Sequence, residues 1–217
     1  MKYIGLTLII VLFTACTVDN YDTGDGKYSY MRADFVMAHT SAAGEVNYAV
    51  TDDGDSLVLN PHATAKWATT GDSIYRGLLY YNKVETKTEP LSLSWVPVLR
   101  YRRTADIDTI HTDPVVFESA WLSSNRKFLN IGFSIKTGKQ EGQDNKQTIG
   151  MMCDTVKTNA DGTHDIYLRF SHNQNGVPQY YSSRMFASVP LNSVSFGYTI
   201  HLSINTFDGI VNKDFAY

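Results

Sequence analysis

The sequence is poor in the residues that usually announce chemistry. It has only two cysteines, Cys16 and Cys153, too few for a disulfide framework or a Cys-built zinc site. It contains no G-x-S-x-G elbow and no H-E-x-x-H pair, which removes two common local signatures of serine hydrolases and zinc peptidases. No stretch sustains apolar residues at i, i+3 and i+4, so a helical architecture is excluded. His62 to Trp67, after Pro61, is the one place where a single helical turn is expected. Positive charge is also scarce. Nineteen Lys and Arg face 22 Asp and Glu, a net charge of −3, so nothing draws the whole chain to nucleic acid or an anionic membrane.

What is present begins at the N-terminus. Lys2 gives a small positive start, and Ile4 to Phe13 is an unbroken run of apolar and small residues. Such a run covers only roughly half of a ~30 Å hydrocarbon core, so it reads as a cleaved signal peptide rather than a membrane span. It ends in Phe13-Thr14-Ala15-Cys16, which resembles the bacterial lipobox, with Phe13 where an aliphatic residue is usual. A thiolate can be alkylated by a lipid to a stable thioether, and more than one acyl chain anchors stably. The expected organisation is a signal peptide over 1–15, lipidation at Cys16, and a flexible tether over 16–27. The polar stretch Thr17 to Gly26 reaches at most about 35 Å from the membrane. Its Asp residues resemble the acidic surface-export signals of Bacteroidetes lipoproteins. With Cys16 lipidated, Cys153 has no disulfide partner. Its apolar setting, Ile149-Gly150-Met151-Met152-Cys153, predicts a buried structural thiol.

The rest of the chain is written in strands. Fourteen Tyr beside six Pro is a strand-forming balance. Period-two alternation runs through Met31, Ala33, Phe35 and Met37, through Leu129, Ile131, Phe133 and Ile135, and through Ile166, Leu168 and Phe170. It is longest in Phe196, Tyr198, Ile200, Leu202 and Ile204. Each series predicts one buried sheet face, with the other against water or a second layer. Asp53-Gly54, Asp161-Gly162 and Asn175-Gly176 supply the positive φ of tight hairpins. The fold class is all-β. Arg100-Tyr101-Arg102-Arg103 and the charge-switching stretch to Asp113-Pro114 mark a boundary, giving modules over 28–103 and 104–217. The first, about 75 residues, suits a five-stranded barrel, and the second, about 105 after the link, suits an antiparallel β-sandwich.

On this order the chain resembles the NigD-like lipoproteins of Bacteroidetes. The matching residues in the first module are Thr51-Asp52-Asp53-Gly54-Asp55-Ser56-Leu57 and Gly71 through Tyr81. In the second they are Asp113-Pro114-Val115 leading to Trp121-Leu122, Phe128 through Phe133, and Leu168 through Asn173. The resemblance implies an OB-like β-barrel followed by an antiparallel β-sandwich. It also implies an outer-membrane address, on the periplasmic or the cell-surface face, and an association with bacteriocin immunity. It implies no active-site residues.

Candidate sites are few. Asp52, Asp53 and Asp55 lack the further ligands of a calcium loop and read as a solvated turn, as do Asp161 and Asp165. His111, Asp113, Ser182 and Ser183 would form a catalytic set only if the fold gathered them. No motif selects Glu45, Glu85 or Glu118 as paired acids. Arg100, Tyr101, Arg102 and Arg103 form a compact basic group that reads as a charged strand end. Tyr75 and, more strongly, Tyr80, Tyr81, Trp95, Tyr180 and Tyr181 are the candidate ligand-contact aromatics, able to offer flat faces to sugar rings. The sequence therefore predicts a non-enzymatic interaction module without metal or cofactor. Its expected membrane contact is the lipid on Cys16, the resemblance implies a peptide or protein toxin as partner, and nucleic acid is not expected. A glycan-binding accessory lipoprotein is the alternative.

Overall fold

In the computed structural model, residues 31–84, 87–142 and 144–217 are described; Cys16, the leader and the tether lie outside the described residues. The first module is a closed barrel of β1 (Met31–Ala42), β2 (Glu45–Thr51), β3 (Ser56–Thr64), β4 (Ile74–Val84) and β5 (Lys87–Trp95). The strand order is β1-β2-β3-β5-β4, with β4 returning to β1 and a parallel contact of Leu59 with Thr88 joining β3 to β5. This is the five-stranded Greek-key closure of an OB-like barrel, and closure removes the free sheet edges.

Inside the barrel sit Val36, Ala38, Val46, Leu57, Leu59 and Leu79, all 1% exposed or less. Tyr81 joins them, its hydroxyl donating to Asp34 at 2.7 Å. Burial, with Asp34 beside it, pushes the Tyr81 hydroxyl up to about 12. The phase of β1 is the reverse of the one expected. Val36, Ala38 and Thr40 face the barrel core, while Phe35 and Met37 face outward and Met31 is exposed. The cause is a second apolar environment outside the barrel, so both faces of β1 carry apolar residues.

The second module packs two sheets. One runs β13-β12-β10-β9-β6, from β13 (Gly209–Ala216), β12 (Tyr198–Thr206), β10 (His164–Asn173), β9 (Thr148–Thr158) and β6 (Arg102–Arg103). The other runs β11-β8-β7, from β11 (Tyr181–Pro190), β8 (Phe128–Thr137) and β7 (Val116–Leu122). Pairing is antiparallel apart from β10 with β12 and β6 with β9, which run parallel. The core is the one the alternation predicts. Leu129, Ile131 and Phe133 face Ile166, Leu168, Phe170, Ile200, Leu202 and Ile204, with Phe133 edge-on to Phe170 at 4.9 Å.

Four local expectations are corrected. Pro61 to Thr64 continue β3 as strand, so no helical turn forms there; the short 3-10 turn lies instead at Thr104–Asp106. Asn175 and Gly176 do adopt positive φ, 47° and 69°, but they link β10 to β11 in different sheets rather than closing a hairpin. Gly54 and Gly162 do close hairpins, β2–β3 and β9–β10, at φ 91° and 84°. Phe196 falls before β12 and is 74% exposed. Finally, residues 98–103 travel with the sandwich rather than the barrel. Val98 bridges Ser188, Leu99 joins the sandwich core, and Arg102 and Arg103 pair with Met152 and Cys153.

Candidate functional site at the module interface

Strand β8 is buried on both faces, from Phe128 to Ile135. One face fills the sandwich core. The other, Asn130, Gly132 and Ser134, is polar or small and yet covered. Asn130 is covered because a charged side chain from the barrel comes to meet it. Arg76 on β4 is 2% exposed and crosses from one module to the other. Its Nη1 and Nη2 donate to the two oxygens of Asp52 at 2.6 Å each, a bidentate fork within the barrel. From the same guanidinium, Nε donates to Ser188 Oγ at 3.1 Å and Nη2 to Asn130 Oδ1 at 3.2 Å, both in the sandwich. Ser188 Oγ in turn donates to Asn130 Oδ1 at 2.7 Å. The Phe128 ring lies 4.2 Å under the guanidinium and Phe35 lies 5.3 Å away.

An aromatic knot completes the joint. Phe35 of the barrel meets Trp121 and Phe186 of the sandwich edge-on, at 5.5 and 5.4 Å. Gly132 is required beside it, since a Cβ there would lie 2.7 Å from Ser119 Oγ and 3.1 Å from the Phe186 ring. The two modules are therefore locked by hydrogen bonds from a guanidinium whose charge is met inside the barrel, and by ring packing across the junction.

Two concavities flank this lock. One, about 610 Å³, is floored by Phe128 and Met37, rimmed by Arg100, Arg126 and Lys127, and walled by Ile74, Val98 and Phe196. The other, about 380 Å³, holds Tyr80, Trp95, Arg184 and Phe186. A third, about 640 Å³, lies in the sandwich against residues 138–142 and 144–147 and includes Tyr181.

The expected ligand-contact aromatics do not form one platform. Tyr80 and Trp95 share the smaller interface cavity, and Trp95 is 58% exposed. Tyr180 and Tyr181 are exposed but Tyr181 belongs to the third cavity. Tyr81, expected as a ligand contact, is instead a core residue, 1% exposed, with its ring inside the barrel. Tyr75 packs edge-on against Trp67 and accepts from the Thr70 N–H.

The acidic and catalytic candidates are dispersed. Asp52 is committed to Arg76, Asp55 lies 3.5 Å from Lys83, and Asp53 is exposed. Asp161 accepts from Thr163, and Asp165 from Asn159. Among the described residues no three His, Cys, Asp or Glu side chains gather as a metal site. The Asp113 carboxylate accepts from the Gln174 N–H, and the His111 carbonyl accepts from Ser171 and from the His172 N–H. Ser182 and Ser183 lie on β11. Glu45 pairs with His62 and Glu118 with Arg184 and Ser134, while Glu85 lies outside the described residues. Cys153 is 5% exposed, and burial pushes its thiol up.

Of the basic group, only Arg100 reaches the larger cleft; Tyr101 packs against the sandwich core. Sequence reasoning missed its companions Arg126 and Lys127 and the clamp residue Arg76. Arg126 and Lys127 could have been found as paired cations in a polar turn. Nothing in the sequence marks Arg76 as buried.

The profile of the NigD-like C-terminal beta sandwich domain matches residues 97–217. No curated protein matches the chain. Among solved structures, the fold is similar to a NigD-like immunity protein from Bacteroides caccae. That match has TM-score 0.66 at 21% identity over 85% of this chain and 96% of that one. It is similar to a protein of unknown function from Bacteroides vulgatus, with TM-score 0.63 at 18% identity over 86% and 90% of the two chains. A protein named as toxin-related, from Parabacteroides distasonis, superposes with TM-score 0.61 at 20% identity over 86% and 93%. With the profile covering more than half its length, and an OB-like barrel set before the sandwich, the chain belongs to the NigD-like family.

Proposed function

We propose that this NigD-like chain is a lipid-anchored, non-catalytic interaction protein of the immunity type, which holds a peptide or protein toxin at the outer membrane. The observation that carries the reading is the Arg76 lock. It fixes barrel and sandwich as one body and leaves concave, solvent-open surfaces at their junction, where ligand sites preferentially form. Fixed geometry lowers the ordering cost of binding a partner. The names of two similar structures, an immunity protein and a toxin-related protein, support the same direction. The leader before Cys16 supports the anchor, from which the tether would hold the two modules near the bilayer.

Deletion of the gene is expected to sensitise cells to one bacteriocin, and re-expression of the full chain to restore resistance. Metabolic labelling with a clickable fatty acid is expected to mark the wild type and not Cys16→Ser. Unchanged sensitivity across a bacteriocin panel would remove the immunity reading. Unlabelled, soluble wild-type protein would remove the anchor. Binding on a glycan array, lost in Trp95→Ala, would transfer the reading to glycan capture.

A further inference from the structure

We propose that the 610 Å³ cleft between barrel and sandwich binds an acidic peptide segment with aliphatic or aromatic side chains, its carboxylates pairing with Arg100, Arg126 and Lys127. The biological setting rests on the immunity reading above; the chemistry does not.

Charge is the first argument. The chain is net negative, yet four cations, Arg76, Arg100, Arg126 and Lys127, line this one concavity, and no Asp or Glu side chain does. Of these, Arg76 is taken up by Asp52, as Arg169 and Arg184 elsewhere are each taken up by a carboxylate. Among the described residues Arg100, Arg126 and Lys127 pair with none, and Arg126 reaches only the Ala216 carbonyl, at 3.5 Å. Unpaired cations lining one cleft repel, and an anion bound among them relieves that repulsion.

The walls supply the second argument. Phe196 is 74% exposed, Ile74 55% and Val98 40%, and all three line the same space. Scattered exposed apolar residues need no explanation, but apolar side chains gathered around one cleft mark an interaction surface. Phe196 is held in place by stacking on Tyr217 at 4.9 Å. Arg126 and Lys127 are presented by a turn tied off by Ser123 and Asn125. Ser123 Oγ accepts from the Phe128 N–H at 2.9 Å, and Asn125 Oδ1 accepts from the Lys127 N–H at 3.0 Å. Arg100 follows Leu99, whose N–H is fixed to the Ser188 carbonyl. Cations and walls thus stand on anchored backbone before any ligand arrives.

Shape selects a peptide among anionic partners. A flat bilayer would meet the rim cations but could not reach the Phe128 floor. Three cations are few for nucleic acid, whose binding scales with the number of phosphates neutralised, and the net charge opposes it. An extended segment alternating acidic and apolar residues satisfies rim and wall together.

The test is calorimetry on the full-length protein in nonionic detergent, with a hexapeptide alternating Glu with Leu and Phe. Binding is expected to weaken at least about ten-fold when Lys replaces Glu in the peptide, and similarly in the Arg100→Glu/Arg126→Glu/Lys127→Glu variant. Phe196→Ser should weaken it several-fold, and Lys213→Glu on β13 should leave it unchanged. Raising NaCl from 50 to 500 mM should weaken it by about ten-fold through screening. Equal binding of the Lys peptide, equal competition by inorganic phosphate or oligo-dT, or full affinity in the triple variant would overturn the proposal. The three cations are exposed, so the triple variant should melt like the wild type; if it does not, Lys127→Glu alone and the salt dependence decide. A variant that loses the peptide but still protects cells refutes the cleft as the immunity surface. A peptide that binds in a strain with no bacteriocin phenotype refutes the immunity reading and leaves the cleft standing.

Discussion

Arg76→Ala should uncouple the two modules. The side chain is 2% exposed and makes four hydrogen bonds, two to Asp52 and one each to Ser188 and Asn130. Removing one member of a buried ion pair costs about 3–5 kcal/mol, because the partner charge is left desolvated. Asp52 retains 14% of its side-chain exposure and recovers some hydration, which favours the lower end, about 3 kcal/mol. At about 2–4 °C per kcal/mol for a chain of this size, the melting temperature should fall by about 6–12 °C. The barrel and the sandwich each own a complete core, so the loss should also split one calorimetric transition into two. Urea unfolding followed through Trp121, which sits in the aromatic knot, should report loosening before either core melts. A double-mutant cycle with Asp52→Ala should return a coupling of about 2 kcal/mol or more. A single transition with a cost below about 1 kcal/mol would refute the lock and the fixed cleft that depends on it.

Other perturbations test the rest of the frame. Phe133→Ala, at a side chain 0% exposed and edge-on to Phe170, should cost about 3–5 kcal/mol by chemical denaturation, with the barrel unaffected. Gly77→Ala would place a Cβ 2.8 Å from the Leu93 side chain and 3.1 Å from the Ser94 carbonyl, so about 1–3 kcal/mol should be lost through the β4–β5 pairing. Burial holds the His172 imidazole below its ordinary value, so the unfolded chain binds a proton that the folded one refuses. Stability should therefore decline as pH falls below about 6.5, down to the lowered native value. A His172→Gln variant should lack that portion of the slope in urea melts taken across pH. Cys153 should resist iodoacetamide in the native state and react at the rate of unfolding, as read by mass spectrometry.

Most of the sandwich was legible because its strands obey a single burial rule. Ile166, Leu168 and Phe170 have one apolar side each, and period two reads them directly. Asp53-Gly54 and Asp161-Gly162 were legible because positive φ is a local demand that few residues meet. Strand β1 was not. Its outward residues Phe35 and Met37 are as apolar as its inward Val36 and Ala38, and only the docked sandwich decides which set is the core. Residues 98–103 hide their allegiance for a related reason. A run rich in Arg resembles a linker, although Leu99 and two short parallel pairings tie it to the sandwich.

The site was hidden by the same junction that created it. Arg76 stands among Tyr75, Gly77 and Leu78, where a charge in a strand ordinarily marks the wet face. Here the wet face was covered by β8 and β11, and Asp52, Asn130 and Ser188 were placed to meet the charge. A buried Arg is tolerable only when its donors find acceptors and its charge finds a counter-ion. Those partners are separated from it in sequence by 24, 54 and 112 residues, so no local window contains them. The cleft follows directly. There Arg76 has its counter-ion in Asp52, but no carboxylate lines the cleft beside Arg100, Arg126 and Lys127, so the rim keeps its positive charge.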